Sequence, residues 1–169
     1  MRDSRPEFVV DANVLIDYWN SDITVLTLVS RIIGRIHIPD AVLENVSTLD
    51  AGDCDQLGLT IVQPNLDQLL EAGEKRGGLA YDDRLCLILA RDHGWLCLTN
   101  DKALRTECAD SGIEVAWGLE PMLTLVAQGA LDVADAESVA SSIHESNPAF
   151  ITKAIIERFH DKLHELATG

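Results

Sequence analysis

The sequence has few basic residues for its size. It carries 13 Lys plus Arg against 28 Asp plus Glu, which gives a formal net charge of -15 at pH 7. This balance argues against a broad basic surface that would bind nucleic acid through its phosphates without regard to sequence. A nucleic-acid substrate would have to be held by a metal ion and a few local bases. Taken alone, the acidity is explained by solubility or by a surface adapted to a basic partner.

Cysteine pairs with metal-binding spacing and long apolar segments are also missing. The four cysteines have no C-x-x-C spacing and three lie in apolar stretches, so buried thiols are expected rather than zinc ligands: Cys54, Cys86, Cys97 and Cys108. Residues 1–6 lack the apolar region and cleavage site of a secretory signal. No apolar segment approaches the length of a membrane span. The sequence therefore predicts a cytoplasmic protein without membrane association.

Short apolar segments alternate with helical patterns along most of the chain. Strands are predicted around residues 8–10, 35–39, 59–64, 95–99 and 112–116, with helical spacing between them. This alternation is typical of an α/β fold with a largely parallel sheet. The length of 169 residues and an apolar content of 47% suit one hydrophobic core.

The last forty or so residues follow a different pattern. Residues 133–143 and 148–166 have helical spacing without a strand between them, and Pro148 is placed in a first helical turn after Asn147 as its cap. No repeat or Gly/Ser linker marks a boundary. The sequence predicts a main α/β domain of residues 1–129 and a helical extension of residues 130–169 packed on it.

Two aspartates directly follow predicted strands. Asp11 comes after residues 8–10, with Asn13 two positions later, and Asp101 comes after residues 95–99. Each could simply cap the helix that follows it. Because parallel strands bring their carboxyl ends to one edge of a sheet, the pair is also expected to share a ligand there.

Other acids stand at comparable points. Glu44 follows the second strand, and a capping box starting at Asp40 would place its partner at Leu43, so capping does not explain Glu44, although simple exposure does. Asp82 and Asp83 fall on the apolar side of a helix, where a carboxylate is costly unless a metal, an arginine or a capping role pairs with it. The helical pattern does not choose between these two aspartates.

Carboxylates without His or Cys partners are typical ligands of Mg2+ or Mn2+. Such an ion would activate water and neutralise charge on a phosphodiester. The nearest bases that could position a phosphate, each otherwise a solvated surface charge, are Lys102, Arg105, Arg84 and Arg76.

Four segments together resemble a PIN domain: residues 9–18, 38–44, 79–87 and 98–101. Within that superfamily the chain is most similar to the single-domain bacterial and archaeal proteins that include VapC-type toxin ribonucleases. The resemblance covers about residues 7–125. It implies a three-layer α/β/α fold with about five mainly parallel strands, a Mg2+ or Mn2+ site at the carboxyl edge of the sheet, and hydrolysis of RNA.

The resemblance also assigns roles to residues. It makes Asp11, Glu44, Asp83 and Asp101 both the catalytic acids and the metal ligands, choosing Asp83 over Asp82. Supporting polar residues are Asn13, Thr99 and Asn100. Two positions depart from the family pattern, since Ala80 replaces a small hydroxyl residue and Asn45 stands where relatives often have another acid.

The expected function is a metal-dependent endoribonuclease, acting as the toxin of a type II toxin–antitoxin pair. Its expected partners are RNA, a small antitoxin protein and a second copy of the chain. The alternative is a PIN-like binding module with weak or absent activity. A receiver domain and a haloacid-dehalogenase-type phosphatase are weaker rivals, the latter because it needs an aspartate at position 13, which is asparagine.

Overall fold

The computed structural model describes residues 5–75 and 77–168, which form an α/β fold around a five-stranded sheet. All strand pairs are parallel and the strand order is β3-β2-β1-β4-β5. The strands are β1 Phe8–Val10, β2 Ile36–Pro39, β3 Thr60–Val62, β4 Leu96–Leu98 and β5 Val115–Ala116. The five strands that the sequence predicts are therefore confirmed.

Helices connect the strands and follow the last one. They are α1 Ala12–Asn20, α2 Thr24–Leu28, α3 Asp40–Glu44, α4 Ala51–Leu57, α5 Leu66–Gly73, α6 Tyr81–His93, α7 Lys102–Asp110, α8 Glu120–Ala127, α9 Val133–Ser146 and α10 Lys153–Thr168. A π-helical turn, Val29–Ile33, continues α2. No helix in the described part of the chain has the length and apolarity needed to cross a membrane.

The strand order reverses between β1 and β4. From β1 the chain moves outward to β2 and β3, then returns to the other side of β1 to form β4 and β5. Ligands of open α/β sheets bind beyond the carboxyl ends of the strands at such a point of reversal. Because Val10 pairs with Leu98, the next residues, Asp11 and Thr99, emerge side by side there.

Most of the helices form two packed groups. Helices α5, α6 and α7 pack on one another and against β1, β4 and β5. Helices α1, α2, α8, α9 and α10 pack with one another and with the π-helical turn. The core between these layers includes all of β1 and the four cysteines, which are free and buried as the sequence predicts.

Two local predictions are wrong, and one helix is missed. Helix α4 was not predicted, although Asp50 and Asp53 form a reciprocal capping box at its start. Asp40 does not cap α3 but is its first residue, and its carboxylate accepts from the backbone N–H of Ala41. Pro148 lies outside α10, which begins at Lys153 instead.

Candidate active site at the carboxyl edge of the sheet

Asp11 is the most buried acid of this edge, with 1% of its surface exposed. It caps α1, because one carboxylate oxygen accepts from the backbone N–H of Val14 at 2.8 Å. The capping interpretation is thus confirmed for Asp11, but a cap is normally left in water. Here the carboxylate is held inside the protein between β1 and β4.

Thr99 joins the two strand-end aspartates. Its hydroxyl donates a hydrogen bond to the second carboxylate oxygen of Asp11 and accepts one from the backbone N–H of Asp101 at 3.0 Å. Asp101 in turn caps α7 by accepting from the backbone N–H of Leu104 at 2.9 Å. The ends of β1 and β4 are therefore linked through one buried hydroxyl group.

Asn100 secures the loop after β5. Its side-chain oxygen accepts from the backbone N–H of Gly118 at 2.8 Å, and the hydroxyl of Tyr18 donates to the carbonyl of the same glycine at 2.5 Å. A Cβ atom at position 118 would lie 2.8 Å from the Asn100 amide nitrogen, so only glycine fits without a shift. Asn100 acts here as a structural support for the edge.

The start of α6 separates the two aspartates that the sequence leaves ambiguous. Asp82 accepts a hydrogen bond from the side chain of Asn45, which follows α3. Burial and the charge of Asp101 raise the pKa of Asp83, and the backbone N–H of Ala80 lowers it. Asp83 is therefore electrostatically coupled to a strand-end acid, whereas Asp82 is bonded to Asn45.

Burial and mutual repulsion raise the pKa values of two of these acids. Loss of solvation is the main cause that raises the pKa of Asp11 to about 7, and the charges of Asp83 and Asp101 raise it further, against the bonds from Thr99 and Val14. Burial, then the charges of Asp101 and Asp82, raise the pKa of Asp83 to about 6. Three carboxylates thus share one electrostatic environment.

Two predicted site residues have no contact that fixes a role. Glu44 is the exposed last residue of α3, and its side chain forms no hydrogen bond or ion pair with any residue that the structure describes. Asn13 is half-buried in the first turn of α1, and its side chain likewise lacks such a bond within residues 5–75 and 77–168. Their catalytic and supporting roles stay predictions.

The four candidate phosphate-binding bases lie in different settings. Arg84 donates to the carbonyl groups of Ala72 and Leu79, so it ties α5 and the following loop to α6. Arg105 stacks on Trp117, with its guanidinium carbon 3.6 Å from the ring centroid, and it donates to the Thr99 carbonyl at 3.4 Å. Lys102 is exposed at the start of α7. Arg76 lies outside the described residues.

The carboxylate oxygens of the candidate site are the kind of ligand that a hard cation prefers, but they do not converge on one point. Among residues 5–75 and 77–168, no three His, Cys, Asp or Glu side chains are close enough together to hold a metal ion. Both oxygens of Asp11 already accept a hydrogen bond, but an ionised carboxylate oxygen can accept more than one. The predicted metal ligands would therefore need side-chain rotation to converge.

Two long-range contacts escape prediction from the sequence, one beside this edge and one on α1. Trp117 directly follows β5 and covers Arg105, a contact that requires knowing that β5 lies beside β4. Asp17 is buried on α1, where the side chain of Asn147 donates to it at 3.0 Å from 130 residues away. No pattern in the sequence indicates that the members of either pair are in contact.

Comparisons with known proteins identify the fold. The structure is similar to that of a PilT N-terminus (PIN) domain protein from the hyperthermophilic archaeon Sulfolobus solfataricus P2, with a TM-score of 0.53 and 13% sequence identity. The match covers 75% of this chain and 94% of that one. No protein-family model and no curated protein matches the sequence. The predicted PIN-like α/β fold is confirmed, and the similarity extends to the fold alone.

Proposed function

We propose that the protein is a metal-dependent endoribonuclease that uses Mg2+ or Mn2+ to hydrolyse RNA phosphodiester bonds. The observation that carries the proposal is the carboxylate of Asp11, whose pKa is raised to about 7 mainly by burial and further by the charges of Asp83 and Asp101. Such a group gains from a cation that neutralises the shared charge. The fold supports the same reading, since acids at the point of strand reversal are where α/β sheets bind ligands.

Asp11, Asp83 and Asp101 would hold the cation, and Glu44 would join them or orient the attacking water. The cation, when bound, supplies a more acidic water and charge neutralisation at the phosphate. Thr99 keeps the Asp11 carboxylate in one orientation, and its bond favours the ionised form that a cation needs. Lys102 and Arg105 are proposed to contact the phosphate backbone near the carboxyl edge.

Asp11→Asn is the direct test. Asparagine keeps the size and an oxygen that can accept from Val14, but it removes the charge. We expect Mn2+-dependent cleavage of labelled RNA to fall at least about 100-fold, beyond the range typical of losing an outer-shell partner. The apo variant should remain folded, and the Mn2+-induced rise in melting temperature that we expect of the wild type should be absent. Retained cleavage in a folded Asp11→Asn variant would falsify the proposal.

A second candidate is a PIN-like binding module without appreciable activity. One observation favours it, namely that no three potential ligand side chains converge within the described residues. This candidate predicts no cleavage of varied RNAs and no thermal shift with Mg2+ or Mn2+. The two functions therefore give opposite results in the same pair of measurements.

We also propose that the chain serves as the toxin of a type II pair and that a small basic antitoxin covers it. The net charge of -15 supports a basic partner. Expression of the wild type, but not of Asp11→Asn, should then arrest growth, and co-expression of a small DNA-binding protein encoded beside it should relieve the arrest. Self-association and a cytoplasmic location are further parts of the proposal; sedimentation velocity tests the first and cell fractionation the second.

A further inference from the structure

An apolar groove with a basic rim lies between α8 and α10. It encloses a cavity of about 250 Å³. Its apolar lining comes from Trp117, Leu119, Leu123, Ile155 and Phe159, and its charged lining from Glu120, Arg158 and Lys162. This volume is below the roughly 300–1,000 Å³ typical of small-molecule pockets. The cavity therefore suits a flat group such as one base better than a whole cofactor.

The groove continues from the candidate active site through direct contacts. Thr99 bonds to Asp11 by its hydroxyl, and its carbonyl accepts from the guanidinium of Arg105. Arg105 stacks on Trp117, which lines the groove. Arg105 and Trp117 therefore connect the candidate active site with the groove that α10 lines.

The face of α10 toward the groove alternates apolar and basic side chains. Ile155, Arg158, Phe159 and Lys162 stand at i, i+3, i+4 and i+7 and share one side of the helix. Arg158 and Lys162 are exposed, and neither forms a hydrogen bond or ion pair with any residue in the described part of the chain. By contrast, Arg91 forms a bidentate pair with Glu71.

We propose that this groove binds a segment of single-stranded RNA, with bases on the apolar floor and phosphates at Arg158, Lys162 and Arg105. Aromatic and apolar contacts to bases beside a basic track are the usual way in which proteins hold single strands. Two unpaired cations at one groove stand out in a chain with a net charge of -15. The inference rests on the proposed nuclease function and extends it to the path of the substrate.

The test measures binding apart from cleavage. A short unstructured RNA labelled with fluorescein is titrated with protein in EDTA, and anisotropy gives the dissociation constant at several salt concentrations. Arg158→Gln/Lys162→Gln should weaken binding about tenfold and reduce the salt slope by about 1.4, because each phosphate that a cation neutralises on a single strand adds roughly 0.7 to that slope. Glu120→Gln should tighten binding, because it removes the carboxylate that lines the groove.

Arg31→Gln/Arg35→Gln is the matched control. It removes two exposed positive charges that do not line the groove, so its effect on affinity should stay below about twofold. Equal decreases in affinity for the two double variants, or no RNA binding by the wild type, would overturn the proposal. So would equally groove-dependent binding of poly-glutamate, because the groove would then recognise an acidic peptide as readily as RNA.

Cleavage with Mn2+ is measured in parallel on the same variants. Groove-dependent binding without any cleavage would support the RNA groove and reject the nuclease function. Cleavage with an unchanged KM in the groove variant would support the nuclease function and reject the RNA groove. Because Arg158 and Lys162 are exposed, both variants are expected to melt within a few degrees of the wild type.

Discussion

The hydroxyl of Thr99 donates a hydrogen bond to the buried carboxylate of Asp11 and so opposes the burial that raises the pKa of this group to about 7. The contact follows from the sheet register, because Val10 and Leu98 are paired and the next residues of β1 and β4 emerge together. The same hydroxyl accepts from the N–H of Asp101. One side chain therefore sets the orientation of the first acid and the position of another.

Thr99→Val should impair the site while keeping its shape. Valine removes the donor to Asp11 and the acceptor for the Asp101 N–H, so the pKa of Asp11 should rise further. We expect RNA cleavage at neutral pH to fall about 10- to 100-fold, as for removal of an outer-shell partner, and the acidic limb of the pH–rate profile to move to higher pH. Thr99→Ser keeps the hydroxyl, so its cleavage rate and pH–rate profile should stay close to those of the wild type. If the pH–rate profile of Thr99→Val is not shifted, Thr99 does not tune the pKa of Asp11.

Asp82→Asn and Asp83→Asn form a matched pair on the first turn of α6. Asp83 faces the charge of Asp101, whereas Asp82 accepts from Asn45. Asp83→Asn should therefore reduce Mn2+-dependent cleavage and weaken the apparent Mn2+ affinity at least about tenfold, and Asp82→Asn should change both much less. The apparent Mn2+ affinity of each variant is measured from the rise in melting temperature as Mn2+ is added. The reverse order of effects would make Asp82 the ligand.

The sequence predicts the frame of this site better than its interior. The strand that ends at Asp11 and the strand that ends before Asp101 are both evident from short apolar segments, and a parallel sheet brings such ends together. The sequence alone does not reveal that Thr99 bridges them, because the bridge depends on a register between strands nearly ninety residues apart. The helical pattern also leaves Asp82 and Asp83 equivalent, since both fall on one side of a helical wheel, and the choice of Asp83 comes from the resemblance to PIN domains.

Gly118→Ala tests the support behind the acidic edge. An added Cβ would lie 2.8 Å from the Asn100 amide nitrogen and 3.1 Å from a methyl group of Val14, so the bond from Gly118 to Asn100 must shift. We expect the free energy of unfolding to fall by about 1–3 kcal/mol, as for overpacking of a core. Gly73→Ala is the control, because nothing lies within 4 Å of its added Cβ and it ends a helix. Chemical denaturation should show that Gly73→Ala leaves the free energy of unfolding unchanged or raises it slightly.

In the helical tail, a local sequence pattern predicts a helix cap that the structure does not have. Two helices are predicted there from apolar spacing, and α9 and α10 confirm them, but Asn147 was assigned as a cap for a helix starting at Pro148. Asn147 instead donates its amide to Asp17 on α1. Asparagine after a helix and before proline is a strong local signal for a cap, and here a tertiary contact replaces it. The division of the chain near residue 130 stays a prediction.

Asp17 should make the stability of the protein depend on pH. It is 7% exposed, one of its oxygens has no hydrogen-bond partner in the described structure, and burial raises its pKa to about 6 against the bond from Asn147. A carboxyl group with a raised pKa binds more protons in the folded state between pH 3.8 and about 6, so the free energy of unfolding falls as pH rises through that window. At pH 7.5 the cost is at most about 3 kcal/mol.

Asp17→Asn should therefore stabilise the protein by about 1–3 kcal/mol at pH 7.5 and have little effect near pH 4, where the aspartate is largely protonated in the folded state and half protonated in the unfolded one. Asparagine can still accept the bond from Asn147 through its side-chain oxygen. Urea denaturation at the two pH values measures the difference in free energy of unfolding between the variant and the wild type. The control is Asp161→Asn at an exposed position of α10, which should change that free energy by less than about 0.5 kcal/mol at both pH values. An effect of Asp17→Asn that is equal at pH 4 and pH 7.5 would contradict this account, because only a carboxylate that is charged and buried near neutral pH gives a difference between the two.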